Sequence, residues 1–280
     1  MKGNKPADKC IFCLGKNGED LKRTKEHILP KSWGGNITIK DGTCVVCQKI
    51  INETFEQKLA REAYLILRSV HNIKNSSNDY PQTIEMKFFN KGSNIKFKKE
   101  IDISIAPISI IIPFFCLPPF YTKIEKSWPN QEKGRCTLSS TPLLGEAENN
   151  QRWKKIFNKN PYDHGTITAP GIAADGFIKF LYKISVGFCW IVDPRIVENS
   201  NIREKIIGSN NINLENIHDI YSSPAERSSI NRFKVKIFNK EIDGENHIFC
   251  SIRLFSNLFP EFFCDMGIFE DLTIEEIFEG

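Results

Sequence analysis

Residues 25–35 read KEHILPKSWGG and lie between two short cysteine pairs, Cys10-Ile-Phe-Cys13 and Cys44-Val-Val-Cys47. An acid beside a histidine, then a proline and a glycine pair among basic residues, is either a solvated turn or the working part of a site. The flanking cysteines decide how the stretch folds. A C-x-x-C turn brings two thiolates close enough to share one ion, and two such turns complete a tetrahedral shell with zinc–sulfur bonds of about 2.3 Å. Such a shell is closed, so its zinc is structural. The rival, a redox C-x-x-C, belongs to a βαβ context and needs one pair only. A module of roughly 65 residues also needs a staple, because its own core is too small to hold it.

After Cys47, Ile51, Phe55, Leu59, Ala63, Ile66 and Val70 recur every three or four positions and mark the apolar face of a helix. The pattern stops at HNIKNSSNDYPQ (71–82), a polar run that reads as a linker. Glu26-His27 supplies the chemistry. Phosphodiester hydrolysis needs a base to activate water, and histidine is the side chain poised for that near neutral pH. It also needs a cation to stabilise the charge on the phosphorane and the leaving oxygen, and oxygen ligands suit Mg²⁺ or Mn²⁺. Gln48, Asn52 and Glu56 fall at i, i+4 and i+8 and line one side of the helix. The expected unit is a β-hairpin plus helix, with acid and base on the hairpin and oxygen ligands on the helix. On a regular strand Glu26 and His27 would point to opposite faces, so a shared site requires a bend there.

On these residues the chain resembles the HNH, or ββα-metal, endonucleases: C-x-x-C at 10–13, EHILPKSWGG at 26–35, C-x-x-C at 44–47, and the helix NETFEQKLARE at 52–62. The resemblance covers about a quarter of the chain. It implies metal-dependent cleavage of nucleic acid, usually DNA, leaving a 5′-phosphate and a 3′-hydroxyl. It implies that His27 activates water, while Glu26 and a polar residue of the following helix hold one divalent ion. Many relatives carry Asn or His directly after the second cysteine pair, where this chain has Gln48. Asn52 is then the first choice for the helix ligand and Glu56 the second.

Charge is distributed to suit an anionic partner. Residues 1–75 hold 14 Lys/Arg against 8 Asp/Glu, and the rest of the chain 24 against 26. Lys22, Arg23, Lys25, Lys31, Arg61 and Arg68 are the candidate phosphate contacts, and the last two share a helix face. Trp33 is placed either to stack on a base or, preferentially, to pack against the zinc module. The start, MKGNKPADKC, has no apolar core of a signal peptide, and ISIAPISIIIPFFCLPPF (103–120) is broken by four prolines. A cytoplasmic protein is expected. Cys116, Cys136, Cys189, Cys250 and Cys264 stand mostly among apolar residues and read as core fillers.

The expected fold class is α+β: a small zinc-stapled ββα-metal module at 1–75, followed by a larger mixed domain at 76–280 for target selection or regulation. In the latter, TIEMKFF, IKFKKEIDISI, RFKVKIF and HIFCSIRLF predict strands, with a hairpin turn at Asp243-Gly244. NNQRWKKIFN, GFIKFLYKISVGF and NIREKIIGSN predict helices, the second with Lys179 and Lys183 on its wet face, and TIEEIFE a short acidic helix at the end. Asp163-His164 is the strongest further pair, read as structural. A homodimer would make double-strand cutting natural, since one module has one active site. A restriction or defence role rests on association alone, and a zinc-stapled binding protein or a ligand-gated effector are the competing functions.

Overall fold

β1 (Arg23–His27) and β2 (Thr38–Cys44) pair antiparallel, and their register shifts between Thr24 and Glu26. The shift precedes the acid–histidine pair: Glu26 and His27 themselves stand in regular register opposite Ile39 and Thr38, so the bend that a shared site requires does not fall between them. Helix α1 (Val45–Ile51) starts where β2 ends, with Cys44 as its N-cap. It runs on into a π-turn over Asn52–Glu56, in which Gln57 N–H bonds the carbonyl of Asn52. The regular helix expected over 52–62 thus begins as a wider turn, a rare form concentrated at functional sites.

The computed structural model describes residues 6–18, 21–33, 35–59, 67, 82–89, 96–121, 133–142, 146–159, 164–167, 174–208, 212–214, 217–224, 233–255 and 259–280. The chain divides into two compact units, one of residues 1–57, 113–138 and 173–280, the other of 58–112 and 139–172. The linker expected at 71–82 lies, apart from Gln82, outside the described residues.

The first unit is built around α3 (Ala174–Val192), buried over nearly its whole length and circumference. Its apolar residues pack on a five-stranded antiparallel sheet of order β12-β9-β10-β11-β8: β8 Ile220–Ser223, β9 Phe233–Ile242, β10 Glu245–Leu254, β11 Glu261–Ile268 and β12 Glu275–Glu279. Phe177 meets Phe259 and Phe262, and Phe188 meets Phe233 and Phe278. The β9–β10 turn is the expected Asp243-Gly244, with φ of 54° and 85° at its two central residues. Two short helices follow α3: α4 (Pro194–Asn199), capped by Asp193, and α5 (Ile202–Ile207), ending at Gly208 as its sequence predicts.

Two expectations fail here. TIEEIFE is not a helix but the edge strand β12, because a strand places Glu275 and Glu279 beside Lys236 and Lys234 of β9, at 2.8 and 2.7 Å. It also lays Phe278 on Phe188. Nor do Lys179 and Lys183 face water: both are buried, and Lys179 donates to the carbonyl of Gly208 at 3.1 Å.

The second unit contains an antiparallel sheet of order β4-β3-β7: β3 Thr83–Phe89, β4 Lys96–Asp102 and β7 His164–Ile167. Helix α2 (Glu146–Lys159) is tied to the turn after β4 by Arg152, which donates to the carbonyls of Ile103 and Ala106. β5 (Ser109–Phe114) and β6 (Thr137–Pro142) form a further two-stranded sheet. Mixed helix and strand, with a ββα module at the start and sheet-rich structure after it, is the α+β class expected. Cys116, Cys189, Cys250 and Cys264 are buried and Cys136 half-buried, in keeping with core filling. No described helix is long and apolar enough to cross a membrane.

Candidate active site and metal centre

The first cysteine knuckle is a tight turn. Leu14 N–H bonds the carbonyl of Cys10 at 2.8 Å and Lys16 N–H that of Cys13 at 2.9 Å, with Leu14 and Gly15 both at positive φ. Ile11 N–H bonds the carbonyl of Gly42 on β2, which sets this knuckle beside the second. All four sulfurs, of Cys10, Cys13, Cys44 and Cys47, are buried and lie within 4.8 Å of one another. A tetrahedral zinc with bonds of about 2.3 Å needs sulfurs about 3.8 Å apart, and Cys13 and Cys44 stand at 3.9 Å. Asn17 Nδ2 donates to Cys47 Sγ at 3.4 Å, and Cys47 N–H to Cys44 Sγ at 3.5 Å.

Electrostatics support the same fit. The hydrogen bond from Cys47 holds the Cys10 thiol down at about 5, while that bond and burial push Cys47 up. Four adjoining thiols cannot all ionise unless a cation sits among them, and a bound zinc ion would supply it. The tetrad is the only cluster of this kind among the described residues.

The acid of the Glu26-His27 pair points inward. Glu26 is 6% exposed; one carboxylate oxygen accepts from the Thr43 hydroxyl and the other lies 2.7 Å from Lys183 Nζ. The same ammonium is 2.5 Å from Glu56 Oε1, 2.5 Å from the carbonyl oxygen of His27 and 3.4 Å from that of Ile28. Burial alone would lower the Lys183 pKa, but Glu26 and Glu56 outweigh it and hold the pKa above its ordinary value. The ammonium therefore stays charged. Glu56, pushed up by burial and pulled back by Lys183, keeps a raised carboxyl pKa.

His27 is half-buried, and its Nδ1 is a buried atom with no hydrogen-bond partner. Burial first, then Lys31, holds its imidazole below the usual histidine range; Glu26 opposes, and Lys183 and Lys25 add to the lowering. The ring is thus in its neutral, proton-accepting form at neutral pH.

Lys183 was not among the sequence candidates. Its signal was present: a charge inside the apolar run FLYKISV needs a buried partner. It belongs to a stripe of α3 that packs on Phe55, Trp33 and Ile28 of the first module. Gly176, Phe180, Lys183 and Gly187 follow one another at helical spacing. A Cβ at Gly176 would lie 3.4 Å from Phe55 Cβ, Phe180 packs on Trp33 at 4.8 Å, and a Cβ at Gly187 would fall 2.7–3.2 Å from three Ile28 side-chain carbons. Gly187→Ala is therefore expected to force Ile28 and the strand end aside, at a cost of about 1–3 kcal/mol in urea unfolding. Unchanged stability would show that α3 and the strand do not approach this closely.

The other candidates separate. Lys25 and Lys31 are exposed beside His27 in the sequence, as phosphate contacts must be. Arg23 instead donates to the carbonyl of Ala7 at 2.8 Å. Trp33 is buried against Phe180 and Phe255 and so is not open to a base. Gln48 and Asn52 are half-buried, and Asn52 opens the π-turn. Arg61, Arg68 and Asp163 lie outside the described residues, as does the side chain of His164.

Residues 10–64 match the family model described as HNH endonuclease. No curated protein and no solved structure compared with the chain matches it. The HNH endonuclease match and the cysteine cluster coincide in the N-terminal segment, so the match falls on a module whose four cysteines could hold one zinc ion.

Proposed function

We propose that the chain is an endonuclease that hydrolyses phosphodiester bonds in nucleic acid, DNA foremost, with His27 as general base. The observation that carries this reading is the neutral, half-exposed imidazole at the end of β1, inside a hairpin with a four-cysteine cluster and an HNH match. His27 takes a proton from water as the water oxygen bonds to phosphorus. The bond from phosphorus to the 3′ oxygen breaks, leaving a 5′-phosphate and, once protonated, a 3′-hydroxyl. Exposed Lys25 and Lys31 are the residues for the flanking phosphates. The four-cysteine zinc has no open position and contributes structure rather than chemistry.

The resemblance also implies a catalytic Mg²⁺ or Mn²⁺ held by Glu26 with Asn52 or Glu56. The carboxylates do not fit that role as they stand, because Lys183 already lies within 2.7 Å of both. The steps assigned to His27 do not pass through such an ion.

Gln48, standing directly after the second cysteine pair where many HNH relatives carry Asn or His, favours a second reading, a zinc-stapled nucleic-acid-binding protein without catalysis. Supercoiled plasmid incubated with the purified full chain and Mg²⁺ or Mn²⁺ separates the two. Conversion to nicked or linear forms is the expected result. Plasmid binding with no cleavage under any divalent ion would reject the enzyme in favour of the binding protein. Cleavage that appears only on adding a cell extract would place the rest of the chain in control of the module.

A further inference from the structure

The cage around Lys183 has the composition of a cation site: two carboxylates and two main-chain carbonyl oxygens around one positive charge. Nζ lies 2.7 Å from Glu26, the distance of a charge-assisted hydrogen bond, and is also in direct contact with Glu56 and the His27 carbonyl, each at 2.5 Å. The Lys183 side chain is 1% exposed, so the ammonium is enclosed and not a surface lysine that has settled on two acids. Each contact has a separate origin in the chain. Glu26 and the His27 and Ile28 carbonyls come from β1 and its exit, Glu56 from the end of the π-turn, and Lys183 from α3. A π-turn shifts the residues after it relative to a regular helix, and here it ends on the carboxylate that meets the ammonium.

We propose that Lys183 is a positioning residue whose ammonium is the resident cation between Glu26 and Glu56, so that these two carboxylates fix the His27 strand rather than bind a divalent ion. Three consequences follow for the site. Glu26 is held away from the reacting phosphate by Thr43 and Lys183 together. The carbonyl of His27 is anchored by the ammonium, which sets the strand from which the imidazole projects. The hairpin and helix of residues 10–56 are not an independent cartridge: a residue 127 positions beyond Glu56 completes their interior.

Breaking such a cage has an asymmetric outcome. Removing the ammonium leaves two facing carboxylates, Glu26 buried and Glu56 half-buried, without their cation, and a pair of that kind attracts another one. The inference rests on the nuclease reading only for what His27 does, so it is tested without cleavage. Mn²⁺ binding to the zinc-loaded full chain is measured by electron paramagnetic resonance and calorimetry. Wild type, Glu56→Gln, Lys183→Met and the double variant Lys183→Met/Glu56→Gln are compared.

Glu56→Gln is expected to leave the Mn²⁺ affinity of the native chain unchanged, because the ion is not bound there. Lys183→Met is expected to gain a Mn²⁺ site, and the added Glu56→Gln to weaken that site about tenfold or more. Loss of about tenfold or more in Mn²⁺ affinity from Glu56→Gln alone overturns the proposal. So does a folded Lys183→Met protein that gains no site. Should Lys183→Met not fold, wild type against Glu56→Gln still decides, since glutamine keeps an acceptor for the ammonium. The nuclease reading stands or falls separately, on the plasmid.

Discussion

Replacing His27 with alanine is expected to lower phosphodiester cleavage by about 10²–10⁴-fold, the range that a positioned acid–base group contributes. The loss should fall on the chemical step and leave plasmid affinity nearly intact. The reason is that the phosphate contacts assigned here, Lys25 and Lys31, are other residues. A fluorescence-anisotropy titration beside a single-turnover assay separates the two effects. The pH profile carries a sign. Burial and the neighbouring lysines hold the imidazole below its ordinary value of 6.5. The free base therefore persists to lower pH than an exposed histidine would allow. Activity should fall as pH drops through that lowered value, and the acid limb should lie below 6.5. An acid limb above that value would mean that the base is not this histidine. An alanine variant that cleaves at the wild-type rate would exclude His27 altogether.

Loss of the zinc should have the largest structural effect. A structural zinc contributes about 10–16 kcal/mol in small zinc-stabilised folds, against a whole-domain stability of about 5–15 kcal/mol. Cys44→Ser is the most informative single change. It removes one of the four clustered sulfurs and, in the same atom, the acceptor that caps α1. The expected result is a chain that carries no zinc and has lost the β1–β2 hairpin, read from metal analysis and far-ultraviolet circular dichroism. A strong chelator should give the same result in the native chain. Since α3 packs on the hairpin through Phe180 and Gly187, the damage should spread into the unit built around α3 and lower its melting temperature. A properly folded protein with no zinc would remove the basis for the whole module.

Much of the site is local in the chain, and that part was legible. The two C-x-x-C pairs place four sulfurs by turn geometry, and the distances agree with a single tetrahedral ion. The acid–histidine pair demanded a bend to share one site, but the register shift falls before Glu26, and Glu26 turns inward instead. Short-range turn chemistry also held at Asp243-Gly244, where both residues take the left-handed conformation that such a hairpin needs. The C-terminal TIEEIFE was misread because helix and strand are both compatible with so short a segment. Its partner, with lysines at matching positions, lies some forty residues earlier on β9.

What the sequence determined by itself is the chemistry within one hairpin's reach: the cysteine tetrad, His27 as the candidate base, and a helix directly after the second pair. Only the tertiary structure decided which groups face which. It turned Glu26 inward, widened the helix at Asn52 into a π-turn, and brought Lys183 from α3 to close on both carboxylates. No spacing rule reaches across 127 residues, and a buried ammonium is tolerable only where the fold supplies its partners. The lysine that looked like the wet side of a helix is, for that reason, the cation at the centre of the site.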